Sequence, residues 1–206
     1  MADIAAVILA AGRSSRYLAG GGVEPSKLVA EYRGEPMVRR VARAALASRA
    51  RPVLVVTGHA RAAVEAALAG LPLAFAFNPD FASGLASSLK TGVAALPEAA
   101  SGAVVLLGDM PDVEADAIDR VVEAFLARPD ALAAAPVLAG RRGNPVLLGR
   151  ALFAHVSRLE GDEGARRLLR EAAPERVAEV QFDDAAVTLD IDTPEDLVAA
   201  RKLLRP

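Results

Sequence analysis

The stretch "VILAAGRSSRYLAGGGVEPSKL", residues 7–28, changes character at its midpoint. Up to Ala11 it is an unbroken apolar run, the signature of a strand buried on both faces. From Gly12 onward it is Gly, Ser, Arg and Lys, none of which packs a core. Small residues at Ala10, Ala11 and Gly12 let backbone approach a ligand closely, and successive N–H groups in such a turn form an anion-binding nest. Arg13, Arg16 and Lys27 add positive charge suited to phosphate. An ordinary solvated strand-to-helix loop accounts for the same residues. Two specific phosphate loops are excluded. A P-loop places Lys-Ser/Thr directly after its last Gly, whereas Lys27 follows Ser26 and precedes Leu28. A dinucleotide fingerprint needs G-x-G-x-x-G, which "AAGRSSR" lacks.

Outward from this stretch, apolar runs alternate with helical patterns. Residues 4–11, 52–58, 73–78 and 103–109 read as strands buried on both faces. Residues 36–48, 60–69, 85–95 and 114–127 read as the helices between them. This alternation implies right-handed crossovers and an α/β fold: a mostly parallel central sheet with helices on both faces. Beyond residue 130 the pattern shifts. "DALAAAPVLAGRRGNPVLLG" predicts a hairpin or mixed-sheet excursion. A short helix, a helix over 163–172, strands near 177–182 and 187–191, and a last helix from Pro194 follow. Thr193 is placed to cap that helix, Pro194 suits its first position, and Asp196 is the acidic partner of a capping box. With no repeat or linker, residues 1–206 read as a single domain.

Composition narrows the function. The chain has 206 residues and a formal net charge of -2, so it carries no general signature of a nucleic-acid or membrane binder. It has no Cys, which removes disulfides, thiolate nucleophiles and Cys-based metal sites. Its two histidines, His59 and His155, show no zinc-ligand spacing. Any metal is therefore expected to be a hard ion held by carboxylates, Mg²⁺ or Mn²⁺. The N-terminus has neither a basic n-region nor a long apolar run, so a cytoplasmic location is expected.

In open α/β sheets, ligands sit beyond the carboxyl ends of the strands. The run ending at residue 109 closes in "LLGDMPDV", where Asp109 is placed to hold a divalent ion or to organise the turn at Pro111. In "TLDIDTPEDL", Asp190 and Asp192 fall on one side of an extended segment, and one of them can complete a site with Asp109. Turn and cap chemistry is the alternative there. "NPDFASGLASSLKTG" sets Asn78 at a strand end before a Gly/Ser-rich helix entry, which suits a base or phosphate, or simply a cap. "AGRRGNPVLL" and "LEGDEGARRLL" are Arg-bearing turns, either solvated or contacting a second anionic substrate.

In order along the chain, "LAAGRSSR…K", "NPDFASGLASSL", "GDMP", "RRGNPVLL", "GDEGAR" and "DIDTPEDL" resemble the nucleotidyltransferases of Rossmann-like, glycosyltransferase-A type, and more narrowly the molybdenum-cofactor cytidylyltransferases and their MobA-like relatives. The resemblance spans nearly the whole chain. It implies a three-layer fold and an Mg²⁺-dependent transfer of CMP from CTP to the phosphate of a molybdopterin-type acceptor. Leu9, Ala10, Ala11, Gly12 and Arg13 would wrap the nucleotide, with Arg16 and Lys27 on its phosphates. Asn78, Gly84, Ser87 and Ser88 would lie near base and ribose, and Asp109 and Asp192 would hold the metal. Arg142, Gly143, Asn144 and Pro145, with Asp162 and Arg166, would face the acceptor. A receiving molybdoenzyme or its chaperone is the implied protein partner. Guanylyl-transferring relatives tend to carry Gly-Gly where this chain has Ala11-Gly12, so the form here favours cytidine. One feature departs from the family: residues 17–26 lengthen the loop between Arg16 and Lys27, as a lid or as a change in the phosphate that Lys27 reaches. The alternatives are a nucleotidyltransferase for a sugar or alditol phosphate, and a non-catalytic molybdenum-cofactor carrier.

Overall fold

A computed structural model describes residues 3–202. Its elements, in chain order, are β1 (Ile4–Ala10), α1 (Ser15–Ala19), β2 (Glu31–Tyr32), β3 (Glu35–Pro36), α2 (Met37–Ala47), β4 (Val53–Thr57), α3 (Arg61–Ala67), β5 (Ala74–Phe77), α4 (Leu85–Ala94), β6 (Gly102–Leu107), α5 (Ala115–Leu126), β7 (Ala133–Leu138), β8 (Arg141–Arg142), β9 (Val146–Gly149), α6 (Phe153–Val156), α7 (Ala165–Glu171), β10 (Val177–Gln181) and α8 (Pro194–Lys202). The main sheet runs β10-β7-β9-β6-β1-β4-β5, with β8 paired to β7. Strands β6, β1, β4 and β5 are mutually parallel, and β9 is antiparallel to both β6 and β7. The result is the expected α/β fold, a mixed but mostly parallel sheet between two helical layers.

Strand β1 lies inside the sheet between β6 and β4, and its alternation builds both cores. Ile4, Ala6, Ile8 and Ala10 pack under α2, α3 and α5 through Val38, Val41, Val64, Ile118 and Val121. Val7, Leu9 and Ala11 pack under α4, α6 and α7 through Ala86, Leu89, Val156, Leu168 and Leu169. The α4 layer sits so close to the sheet that a Cβ on Gly92 would come 2.6 Å from Val7 Cγ1. A third cluster joins Tyr17, Tyr32 and Met37 to Ile191, Leu197 and Ala200, and so ties the loop after β1 to α8.

Two expectations are corrected. Residues 187–191 form no strand. Asp184 accepts from the Ala186 N–H at 2.9 Å and starts a 3-10 turn, Ala185–Val187, after which the chain crosses the sheet end as an unpaired connector. The alternating pattern there reflects only two buried anchors, Val187 and Ile191. Residues 73–78, expected to be buried on both faces, form the edge strand β5, with Phe75 and Phe77 each about two-fifths exposed. The predicted hairpin is present as β7–β8, turned at Ala139 and Gly140, both with positive φ.

Candidate active site

The carboxyl ends of β1 and β6 open into a cleft of about 460 Å³. One wall is the loop after β1. Leu9 and Ala11 face the cleft because β1 alternates, while Ala10, turned to the opposite core, does not line it. Gly12 lines it too, and a Cβ there would meet nothing within 4 Å, so its missing side chain leaves room on the ligand side. Arg13 and Arg16 complete this wall.

Lys27 stands at the cleft floor on a short 3-10 turn whose backbone is fixed by two hydroxyls. Ser14 Oγ accepts from the Lys27 N–H at 3.1 Å and lies 3.0 Å from Ser26 Oγ, and Ser26 is fully buried. The Lys27 ammonium donates to Asp109 Oδ2 and to Asp192 Oδ1, each at 2.6 Å. Arg16 takes the other oxygen of Asp192 at 2.6 Å. Burial alone lowers the Lys27 pKa, but the charges and hydrogen bonds of Asp109 and Asp192 outweigh it and leave it above its ordinary value. At neutral pH Lys27 is an ammonium ion.

The two carboxylates are far apart in sequence and meet through the main chain. Gly108 N–H bonds to Leu9 O at 3.0 Å, continuing the sheet, and Ile191 N–H bonds to Asp109 O at 3.0 Å. The following residue, Asp192, is held by the predicted capping box. Asp196 accepts from the N–H groups of Asp192 and Thr193 at 3.1 and 2.9 Å, and Thr193 Oγ1 accepts from the Asp196 N–H at 3.1 Å.

The opposite wall is the start of α4. Gly84 has φ +107°, and a Cβ there would lie 2.2 Å from Gly161 O. This close approach lets Gly161 O accept from the Ala86 N–H at 3.0 Å and brings Asp162 into the cleft. Ser88 lines the cleft, whereas Ser87 does not. Asn78 is buried and organises both: its amide donates to Ser87 Oγ and Ser88 Oγ at 2.8 and 3.1 Å, and its Oδ1 accepts from the Asp80 N–H.

The expected acceptor-facing group divides. Asp162 is in the cleft; Arg142, Gly143, Asn144, Pro145 and Arg166 do not line it. Arg142 is held by Glu179 Oε1 at 2.7 Å and Leu169 O at 2.9 Å. A Cβ on Gly143 would come 2.1 Å from Val187 O, and Asn144 N–H donates to that carbonyl at 2.7 Å. As placed, Gly143 and Asn144 brace the connector that carries Asp192, while Arg142 ties β8 to β10 and α7. Arg166 is exposed on α7. Sequence reading missed Ser14, Ser26 and Gly161; serines before a lysine and a glycine in "EGDEG" carry no signal for the bonds they make.

Residues 17–26 of the long loop do not line the cleft. Tyr17 is buried and its hydroxyl donates to Glu24, while a Cβ on Gly22 would overlap the Tyr17 ring. Gly20 packs on Pro194 at the start of α8. The loop is thus folded behind Arg16 and Lys27 and against the Asp192 segment.

Among the described residues, the cleft carries Arg13, Arg16 and Lys27 against Asp109, Asp162, Asp190 and Asp192. Such a mixed site favours a polyanion that arrives with a cation. The donor set fits a hard divalent ion. Asp109 and Asp192 converge, and Asp109 Oδ1 is buried with no hydrogen-bond partner. No three metal-type ligands cluster among the described residues, and Mg²⁺ or Mn²⁺ commonly needs only one or two carboxylates when phosphate oxygens and water complete its shell. No helix among the described residues is long and apolar enough to cross a membrane.

Comparison with known proteins places this geometry. Residues 6–180 match the MobA-like NTP transferase domain. The chain is 31% identical to the purine catabolism protein PucB of Bacillus subtilis, with 96% of each chain covered. It is 34% identical to the molybdenum cofactor guanylyltransferase of Cupriavidus metallidurans, over 95% of this chain and 93% of that one. Among solved structures, a nucleotidyl transferase from Methanothermobacter thermautotroptrophicus superposes with a TM-score of 0.81 at 27% identity, covering 98% and 97% of the two chains. Rv0371c from Mycobacterium tuberculosis, in a complex with manganese, gives 0.80 at 26% identity, covering 97% and 98%.

Proposed function

The chain belongs to the MobA-like NTP transferase family, and on that premise we propose that it transfers CMP from CTP to the terminal phosphate of a molybdopterin-type acceptor, releasing pyrophosphate. The observation that carries this reading is the joining of Lys27, Asp109, Asp192 and Arg16 into one charged cluster beside the open backbone of Gly12. The Ala11-Gly12 form of the loop supports a cytidine nucleotide. Asp162, beside Gly161 on the far wall, is the acceptor-side residue best placed to contribute.

In the transfer, an oxygen of the acceptor phosphate forms a bond to the α-phosphorus. The bond from that phosphorus to the bridging oxygen breaks, and pyrophosphate leaves with the electron pair. The attacking phosphate is already anionic near neutral pH, so the protein need not supply a general base. Lys27, Arg16 and Arg13 neutralise phosphate charge, and Gly12 lets the backbone close on the nucleotide. Asp109 and Asp192 would hold the Mg²⁺ or Mn²⁺, which when bound supplies further neutralisation of the phosphate oxygens. The test is pyrophosphate release with CTP or GTP, given molybdopterin, its molybdate form, or a panel of sugar and alditol phosphates. Turnover with CTP and a molybdopterin acceptor is expected. Turnover confined to a sugar or alditol phosphate would replace the acceptor, and turnover confined to GTP would replace the nucleotide. Nucleotide binding without any pyrophosphate release would favour a carrier.

A further inference from the structure

We propose that Lys27 is the resident counter-ion of the cation site: before nucleotide binds, its ammonium holds Asp109 and Asp192 together and keeps a divalent cation off them, and it transfers to the phosphates when a triphosphate arrives. This rests on the reading above that the two aspartates hold the metal.

The ammonium nitrogen sits at 2.6 Å from one oxygen of each carboxylate, between the two groups that would hold the cation. The Lys27 side chain is only 12% exposed, so these pairs are shielded in a way surface pairs are not. Asp192 is doubly neutralised, because Arg16 covers its second oxygen. Arg16 is 74% exposed, which makes its hold the weaker of the two. A cation approaching the nucleotide-free protein therefore meets carboxylates whose charge is already balanced. Displacing Lys27 would leave a largely buried ammonium without a partner.

A triphosphate removes that cost. The backbone of Lys27 is pinned by Ser14 and Ser26, and its four-carbon stem supplies the rotatable bonds by which the ammonium can swing about that anchor. The ammonium can leave the carboxylates for the phosphates without the loop moving. Phosphate then balances Lys27, and the cation balances Asp109 and Asp192. Binding of the two ligands is thereby coupled, and each raises the affinity of the other by the same factor.

The experiment measures Mn²⁺ alone, by loss of the free aqueous Mn²⁺ EPR signal during titration of the nucleotide-free protein. Lys27→Gln is expected to bind Mn²⁺ roughly 5–150-fold more tightly than the wild-type chain, the usual range of coupling between two sites. Arg16→Gln is expected to gain less. Lys202→Gln, the same charge change on exposed α8, is expected to gain nothing. Adding Asp109→Asn to Lys27→Gln should abolish the gain. Equal affinity in the wild-type chain and Lys27→Gln would overturn the counter-ion role while leaving the cation site standing. A folded Lys27→Gln that binds no Mn²⁺, either alone or with a triphosphate present, would overturn both this role and the two-carboxylate reading. Lys27→Met, which keeps the apolar stem, decides the matter by the same comparison should Lys27→Gln not fold.

Discussion

The backbone N–H of Ile191 donates to the carbonyl of Asp109 at 3.0 Å, and this one bond sets the two acidic segments of the cleft side by side. It anchors a connector that makes no strand ladder, so Asp192 is positioned by this bond, by the cap of α8 and by its pairs with Lys27 and Arg16. The cleft chemistry therefore depends on a local main-chain bond and a helix cap as much as on the sheet.

Asp109→Ala should leave the fold intact and remove divalent-cation-dependent turnover. Losing one preorganised charge at a reacting phosphate costs on the order of 10²–10³ in rate. Circular dichroism checks the fold and pyrophosphate release checks the loss. Wild-type turnover in a folded Asp109→Ala would remove this residue from the metal site.

Two of the glycines lining the cleft, Gly12 and Gly84, should fail differently. Gly12→Ala adds a methyl that touches no protein atom, so its melting temperature should match the wild-type chain while nucleotide affinity falls. Gly84→Ala forces a Cβ into Gly161 O at positive φ, and should lower stability by about 1–3 kcal/mol for the backbone conformation alone. Thermal melts with and without nucleotide separate the two.

The cap of α8 should be readable in acid. Burial is the largest single influence on Asp196 and opposes its ionisation, but the bonds from Thr193 and the backbone N–H groups, with the charge of Lys27, together prevail and hold its pKa below 3.8. Its contribution is present above that unfolded value and is lost as pH falls through the lower folded one. Thr193→Ala should cost about 1 kcal/mol at neutral pH. Because the cap positions Asp192, it should also reduce turnover, which a cap remote from the site would not do.

At the alkaline end, burial first, and then the bond and charge of Glu24, push the Tyr17 hydroxyl up to about 12. Tyr32 shifts the same way through burial and Asp112. Both tyrosines of the chain should therefore ionise late when absorbance at 295 nm is followed with pH. The Tyr17 contribution to stability is complete below its unfolded value near 10 and is lost as pH rises toward 12. Tyr17→Phe should flatten that loss. Ionisation of a Tyr17 group near pH 10 in the folded chain would mean that the loop is not packed behind Lys27.

Much of this was legible before the structure, for physical reasons. The alternation of β1 and the periodicity of α2 and α5 report burial on each face, so the helical layers and the mostly parallel character of the sheet followed from pattern. The capping box at Thr193 and Asp196 is local chemistry and was readable as such. Position within the sheet is not encoded in a run of apolar residues, and so β5 was read as buried although it lies at the edge. The connector at 185–191 alternates like a strand, but Asp184 diverts its backbone into a turn. Arg142 looked available because an arginine in a turn carries no sign of its partner; Glu179 and the Leu169 carbonyl come from elsewhere in the chain. The same holds for Lys27, whose two carboxylate partners are brought to it only by the tertiary fold.

The most direct measurement follows the α-phosphate itself. Given CTP labelled at the α-phosphorus, Mg²⁺ and molybdopterin, a single turnover should move the label to the acceptor with an equal amount of pyrophosphate, and Lys27→Ala and Asp192→Ala should both suppress it. Label that stays with the nucleotide in the wild-type chain across every nucleotide and phosphate acceptor tried, or transfer that both variants leave unchanged, would contradict the account.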